Sequence, residues 1–71
     1  MDETAFLDSM LTVCSSREAA RSMLDTPVES LPLDSLDLEI LRTTLEKQRG
    51  AAIGNDLWQT APTLRNLMTQ L

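Results

Sequence analysis

The sequence predicts an all-α domain, a small bundle of three main helices with a short helix before the last one and a long loop after the first. Three observations carry that prediction. Apolar residues recur at three- and four-residue spacings, no stretch alternates with period two, and the prolines and glycines punctuate the periodic segments without interrupting them. Seventy-one residues make a single domain, residues 1–71. A chain this short buries only about 60% of the surface its unfolded form exposes, which leaves little room for a deep catalytic cleft.

Residues 2–14 place Phe6, Leu7, Met10, Leu11, Val13 and Cys14 on one side of a helix, with Asp8, Ser9 and Thr12 on the other. Ser15 followed by Glu18 fits a capping box for a short helix from Arg17 to Leu24 that presents Ala20, Met23 and Leu24. Pro27 ends that segment, and Thr26 to Leu33 reads as loop, with Pro27 and Pro32 forbidding helix and Leu31 and Leu33 turned inward. Asp34 is a good N-cap, Asp37 three residues on makes an acidic variant of the capping box, and Gly50 supplies a left-handed stop. A helix over 35–49 follows.

Within that helix Leu38, Leu41 and Leu45 form a core stripe, whereas Leu36, Ile40, Thr43 and Lys47 project from nearly the opposite side. Ile53 reads as core, Gly54-Asn55 as a turn, and Asp56 to Gln59 as a helical turn carrying Trp58. Thr60 or Thr63 caps the last helix around Pro62, and Leu64, Leu67, Met68 and Leu71 share its inner face.

Composition narrows function. The chain has no histidine, no tyrosine and one cysteine, which removes the usual general base, the common zinc-ligand sets and any internal disulfide. No catalytic residue and no metal site is expected. The net charge of −5 disfavours nucleic acid, whose binding draws on Lys and Arg, and there is no basic recognition helix for a helix-turn-helix reading. Nine of the eleven acids fall in residues 1–39, so the negative field is centred on the half that contains Ser35 and complements basic protein surfaces. No apolar run reaches membrane-span length and the N-terminus lacks a signal-peptide pattern, so a cytoplasmic, free-standing monomer is expected, although an excised module given an initiator Met would read the same way.

The most telling stretch is Leu33-Asp34-Ser35-Leu36-Asp37-Leu38, where a Pro-bearing loop turns into a helix. A serine in a helix's first turn sits among backbone N–H groups without intrahelical acceptors, an environment that favours an attached phosphate. Leu7-Asp8-Ser9-Met10 has nearly the same spelling, but Ser9 falls within a helix, on its polar side and with no preceding loop. Ser35 is therefore the expected modification site.

The order of a first helix, a long loop, Asp34-Ser35-Leu36 opening a second main helix, a short helix, and Pro62-Thr63-Leu64 opening the last resembles the acyl carrier proteins over nearly the full chain. The spacing Leu38/Leu41/Leu45, Gly50, Ile53 and Leu67 belongs to the same resemblance. It implies that a phosphopantetheinyl transferase, using coenzyme A and Mg²⁺, attaches 4′-phosphopantetheine to Ser35, and that the arm's thiol carries an acyl group as a thioester. The protein would then be a non-catalytic substrate of acyl-loading, condensing and other synthase enzymes. By the same resemblance Asp34 helps the transferase place metal and coenzyme as well as capping the helix. Leu36, and next Ile40, would be the apolar docking contacts, with Asp37, Glu39 and Glu46 complementing Arg or Lys of partners.

Two departures bear on the pathway. Pro32 stands where a glycine is common before the Asp-Ser-Leu element, and Arg42, Lys47 and Arg49 make the end of the second main helix basic where fatty-acid carriers tend to be acidic. Polyketide or mixed polyketide/peptide biosynthesis is favoured, with fatty-acid synthesis as the alternative. An unmodified helical adaptor that docks through Leu36 and Ile40 is the reading from another class. Cys14, with only Arg17 as a basic neighbour, reads as a small core residue. Trp58 has two readings, packing against the last helix or lining an acyl-chain pocket or partner surface.

Overall fold

The computed structural model describes residues 1–71 as five helices without a strand: α1 (Glu3–Met10), α2 (Arg17–Met23), α3 (Ser35–Arg49), α4 (Asn55–Thr60) and α5 (Leu64–Gln70). A single 3₁₀ turn, Val28–Ser30, breaks the loop between α2 and α3. The helices enclose one apolar core built around Phe6, Leu7, Met10, Leu41, Leu45 and Leu67.

The sequence reading overextends α1. The helix stops at Met10, and residues 11–14 continue in tighter turns in which Thr12 N–H bonds Ser9 O and Val13 N–H bonds Met10 O. The Thr12 hydroxyl also donates to Ser9 O at 2.8 Å, competing for the carbonyl that an ordinary helix would use further along. The face is also misread at two positions: Ser9 is 2% exposed and Leu11 is 41% exposed. Because α1 packs against both α2 and α3, the covered arc is wider than one stripe, and it takes in Ser9 while leaving Leu11 outside.

Ser16, not Ser15, caps α2. Its backbone is extended at φ −157°, and its Oγ accepts the Ala19 N–H at 3.1 Å. Glu18 stays in the first turn as a dipole complement, without the reciprocal bond of a capping box. Ala20 and Leu24 are fully buried, and Met23 is half-buried.

The loop is stapled onto α5. Val28 N–H bonds Pro62 O at 3.0 Å and Arg65 N–H bonds Leu24 O at 2.9 Å. The Arg65 side chain grips Asp25 at 2.7 and 3.2 Å and reaches Glu3 at 3.5 Å. Its hydrogen bond holds the Asp25 carboxyl below the usual range. Leu31 is buried and Leu33 packs against the core, so the chain arrives at Asp34 along a fixed path.

Candidate functional site

Asp34 makes the loop-to-helix transition. Its extended backbone lets Oδ1 accept the Asp37 N–H at 2.8 Å, while Asp37 Oδ2 accepts the Asp34 N–H at 3.4 Å, completing the reciprocal box. The far end closes on Gly50, whose φ of +74° is the one left-handed residue in the chain. The helix between these stops, Ser35–Arg49, has the predicted bounds.

Ser35 is therefore the first residue of the longest helix, and it is exposed. The box uses one oxygen of each carboxylate and leaves Asp34 Oδ2 and Asp37 Oδ1 without a partner in the chain. Around the serine lie Leu36, 66% exposed, Ile40, 40% exposed, and the exposed Glu39, while Asp37 is half-buried. Glu39, Ile40, Thr43, Thr44 and Lys47 line a shallow open groove further along the same face. The exposed Ser35 hydroxyl, with the Ser35 and Leu36 N–H groups left without an acceptor in the chain, fits attachment of a phosphate ester such as that of 4′-phosphopantetheine.

The second Asp-Ser pair is a different environment. Ser9 Oγ is buried with no hydrogen-bond partner, and Asp8 pairs on the surface with Arg17. A buried hydroxyl is inaccessible to a modifying enzyme, which separates the two serines by accessibility and not by the polar face expected for Ser9.

Glu46 is not a free docking acid. Its Oε2 accepts the Ile53 N–H at 2.8 Å and lies 3.8 Å from Arg42 Nε. Arg42 in turn donates to Ile53 O and Asn55 Oδ1, both at 2.7 Å, and its guanidinium carbon stands 5.6 Å from the Trp58 ring centroid. Arg49 donates to Ala52 O at 2.8 Å. Two of the three basic residues of α3 thus fasten the following loop. The i,i+4 spacing of Arg42 and Glu46 is visible in the sequence; their bonds to Ile53 and Asn55 depend on how the chain turns after Gly50.

Leu38, expected in the core stripe, is only partly covered and faces an apolar cleft of about 40 Å³ shared with Val28, Trp58, Ala61, Leu64 and Leu67. Trp58 packs against the core and walls this cleft. Cys14 is half-buried with Sγ 3.7 Å from Met23 Sδ. Burial, and secondarily the charge of Asp37, push its thiol up, the opposite of an activated cysteine. No group of three or more His, Cys, Asp or Glu side chains is placed to hold a metal, and no helix is long and apolar enough to cross a membrane.

Comparison with protein families, curated proteins and solved structures finds no match to this chain.

Proposed function

We propose that the protein is an acyl carrier whose Ser35 bears 4′-phosphopantetheine, and that it presents thioester-bound intermediates to synthase enzymes, in polyketide or mixed polyketide/peptide biosynthesis. One observation carries the reading: an exposed serine opens the longest helix, inside a reciprocal Asp34/Asp37 capping box and next to a leucine left 66% exposed. Ser35 Oγ would attack the coenzyme A phosphate beside the pantetheine arm. The new P–O bond forms as the pyrophosphate link to the nucleotide breaks, and the hydroxyl proton goes to the transferase. The bound arm supplies a terminal thiol for thioester chemistry.

The chain's own residues would position the hydroxyl and recruit enzymes. Asp34 fixes the first turn, and its Oδ2, without a partner in the chain, would be available to the transferase's metal and coenzyme. Leu36 and Ile40 offer apolar contact, and Glu39 and Asp37 steer basic partners. Leu36→Asp is expected to keep the fold and Ser35 modification while weakening productive encounters; unchanged turnover with each cognate enzyme would remove Leu36 from the docking face.

The deciding experiment is intact-protein mass spectrometry after incubation with coenzyme A, Mg²⁺ and a broad-specificity phosphopantetheinyl transferase. A phosphopantetheine-sized gain is expected in the wild type and in Ser9→Ala, and none in Ser35→Ala. No gain in folded wild type across several transferases would favour an unmodified adaptor, for which the exposed Leu36/Ile40 pair is the supporting feature.

A further inference from the structure

The outer face of α3 carries charges of both signs that no other side chain in the protein answers. Glu39, Thr43 and Lys47 are all exposed and stand four residues apart, so they form one row along the helix; Ile40 and Thr44 belong to the neighbouring row. The shallow groove lined by these five residues is the furrow between the two rows. Glu39 and Lys47 lie about 12 Å apart along the axis. Neither has an ion-pair partner in the chain.

The row is self-complementary. Glu39 and Lys47 sit at equal distances, about 6 Å, on either side of Thr43, so a two-fold rotation at Thr43 sets Glu39 of each copy opposite Lys47 of the other. Rows spaced in this way pack into each other's furrows with the helix axes crossing at about −50°. The side chains at the crossing, Thr43 and Thr44, are small enough for close approach. The Thr44 hydroxyl already donates to Ile40 O at 2.8 Å, so covering it leaves no donor unpaired. Ile40, 40% exposed, borders the crossing and is covered by it. A surface of one charge sign would be repelled at one end of the row, whereas a second copy answers both ends.

We propose that the α3 groove is the interface of a weak two-fold dimer of this protein, held by two Glu39–Lys47 pairs around the Ile40 and Thr43 contact. One helix face on each side buries well under the roughly 800 Å² per partner of a stable complex, so the dimer forms only in concentrated solution. The monomer expected from the sequence is then the dilute form. The dimer belongs to the unmodified chain and does not need the carrier reading; where that reading also holds, the dimer and a partner enzyme compete for Glu39 and Ile40.

Sedimentation equilibrium of the unmodified protein between about 20 µM and 1 mM tests the interface. The weight-average mass of the wild type is expected to rise from monomer toward dimer across that range, and to rise less when salt screens the two pairs. Glu39→Lys moves the net charge of −5 toward zero, so general repulsion between copies falls and association would increase if overall charge controlled it. The interface requires the reverse, association weakened at least about tenfold, because like charges then face each other. Lys47→Glu should weaken it as well. An equimolar mixture of the two variants should regain wild-type association, since each supplies the charge that the other's row now lacks. Leu11→Ser removes a different exposed apolar side chain and should change nothing. All three positions are exposed, and far-UV circular dichroism checks that each variant keeps its helices.

A wild type that stays monomeric at about 1 mM overturns the dimer. Single variants that associate like the wild type, or a mixture that fails to recover, overturn the Glu39–Lys47 pairing. Loss of association in Leu11→Ser would place the contact on another face and overturn the assignment to the groove.

Discussion

Leu7-Asp8-Ser9-Met10 and Leu33-Asp34-Ser35-Leu36 are nearly the same four residues in two opposite environments. In the first, the serine is 2% exposed and the residue after it, Met10, is fully buried; in the second, the serine is exposed and the following Leu36 is 66% exposed. The aspartates diverge as well. Asp8 makes an exposed ion pair with Arg17, whereas Asp34 starts a helix. What differs is position on the helix: α1 packs against two neighbours, which cover Ser9 and Met10, while the first turn of α3 leads out of a loop with one face uncovered.

Matched substitutions sharpen this contrast. The largest stability difference is expected at the residue after each serine. Met10→Ala should cost about 2–5 kcal/mol by opening a cavity in the core, and Leu36→Ala should stay within about 0.5 kcal/mol, both read by urea denaturation. Equal losses would mean that Leu36 packs in solution. Next come the aspartates: Asp34→Ala should cost about 1 kcal/mol through the lost cap, against about 0.5 kcal/mol or less for Asp8→Ala. Asp34→Asn, still able to accept the Asp37 N–H, should recover most of the loss.

The serines themselves are expected to show no loss. Ser9 Oγ is buried without a partner, so Ser9→Ala should leave thermal stability unchanged or raise it by about 1 kcal/mol, whereas Ser35→Ala should change it by no more than about 0.5 kcal/mol. A substantial loss in Ser9→Ala would show that the hydroxyl has a hydrogen-bond partner in solution.

Legibility in the sequence follows from the range of the interactions. The α3 stops were legible because Asp34, Asp37 and Gly50 act within four residues of the helix ends they define. The α1 end was not, since Thr12 and the tight turns after Met10 override a periodicity that runs on to Cys14. At the candidate site, the identity and exposure of Ser35, Leu36 and Ile40 were readable from the helix start and the face opposite Leu41 and Leu45. Glu46 was not, because its partner is a backbone N–H seven residues away, on the far side of Gly50.

By itself the sequence determined an all-α chain, the start and stop of its longest helix, and a serine held in that helix's first turn, because periodicity, capping and backbone sterics are local. Only the tertiary structure decided that Ser9 is buried and which charges are left for partners. It also decided that Arg42, Glu46 and Trp58 meet across a short helix beside an apolar cleft. Those outcomes depend on which helices cover which faces, and side chains distant in the chain set that coverage when they share one small core.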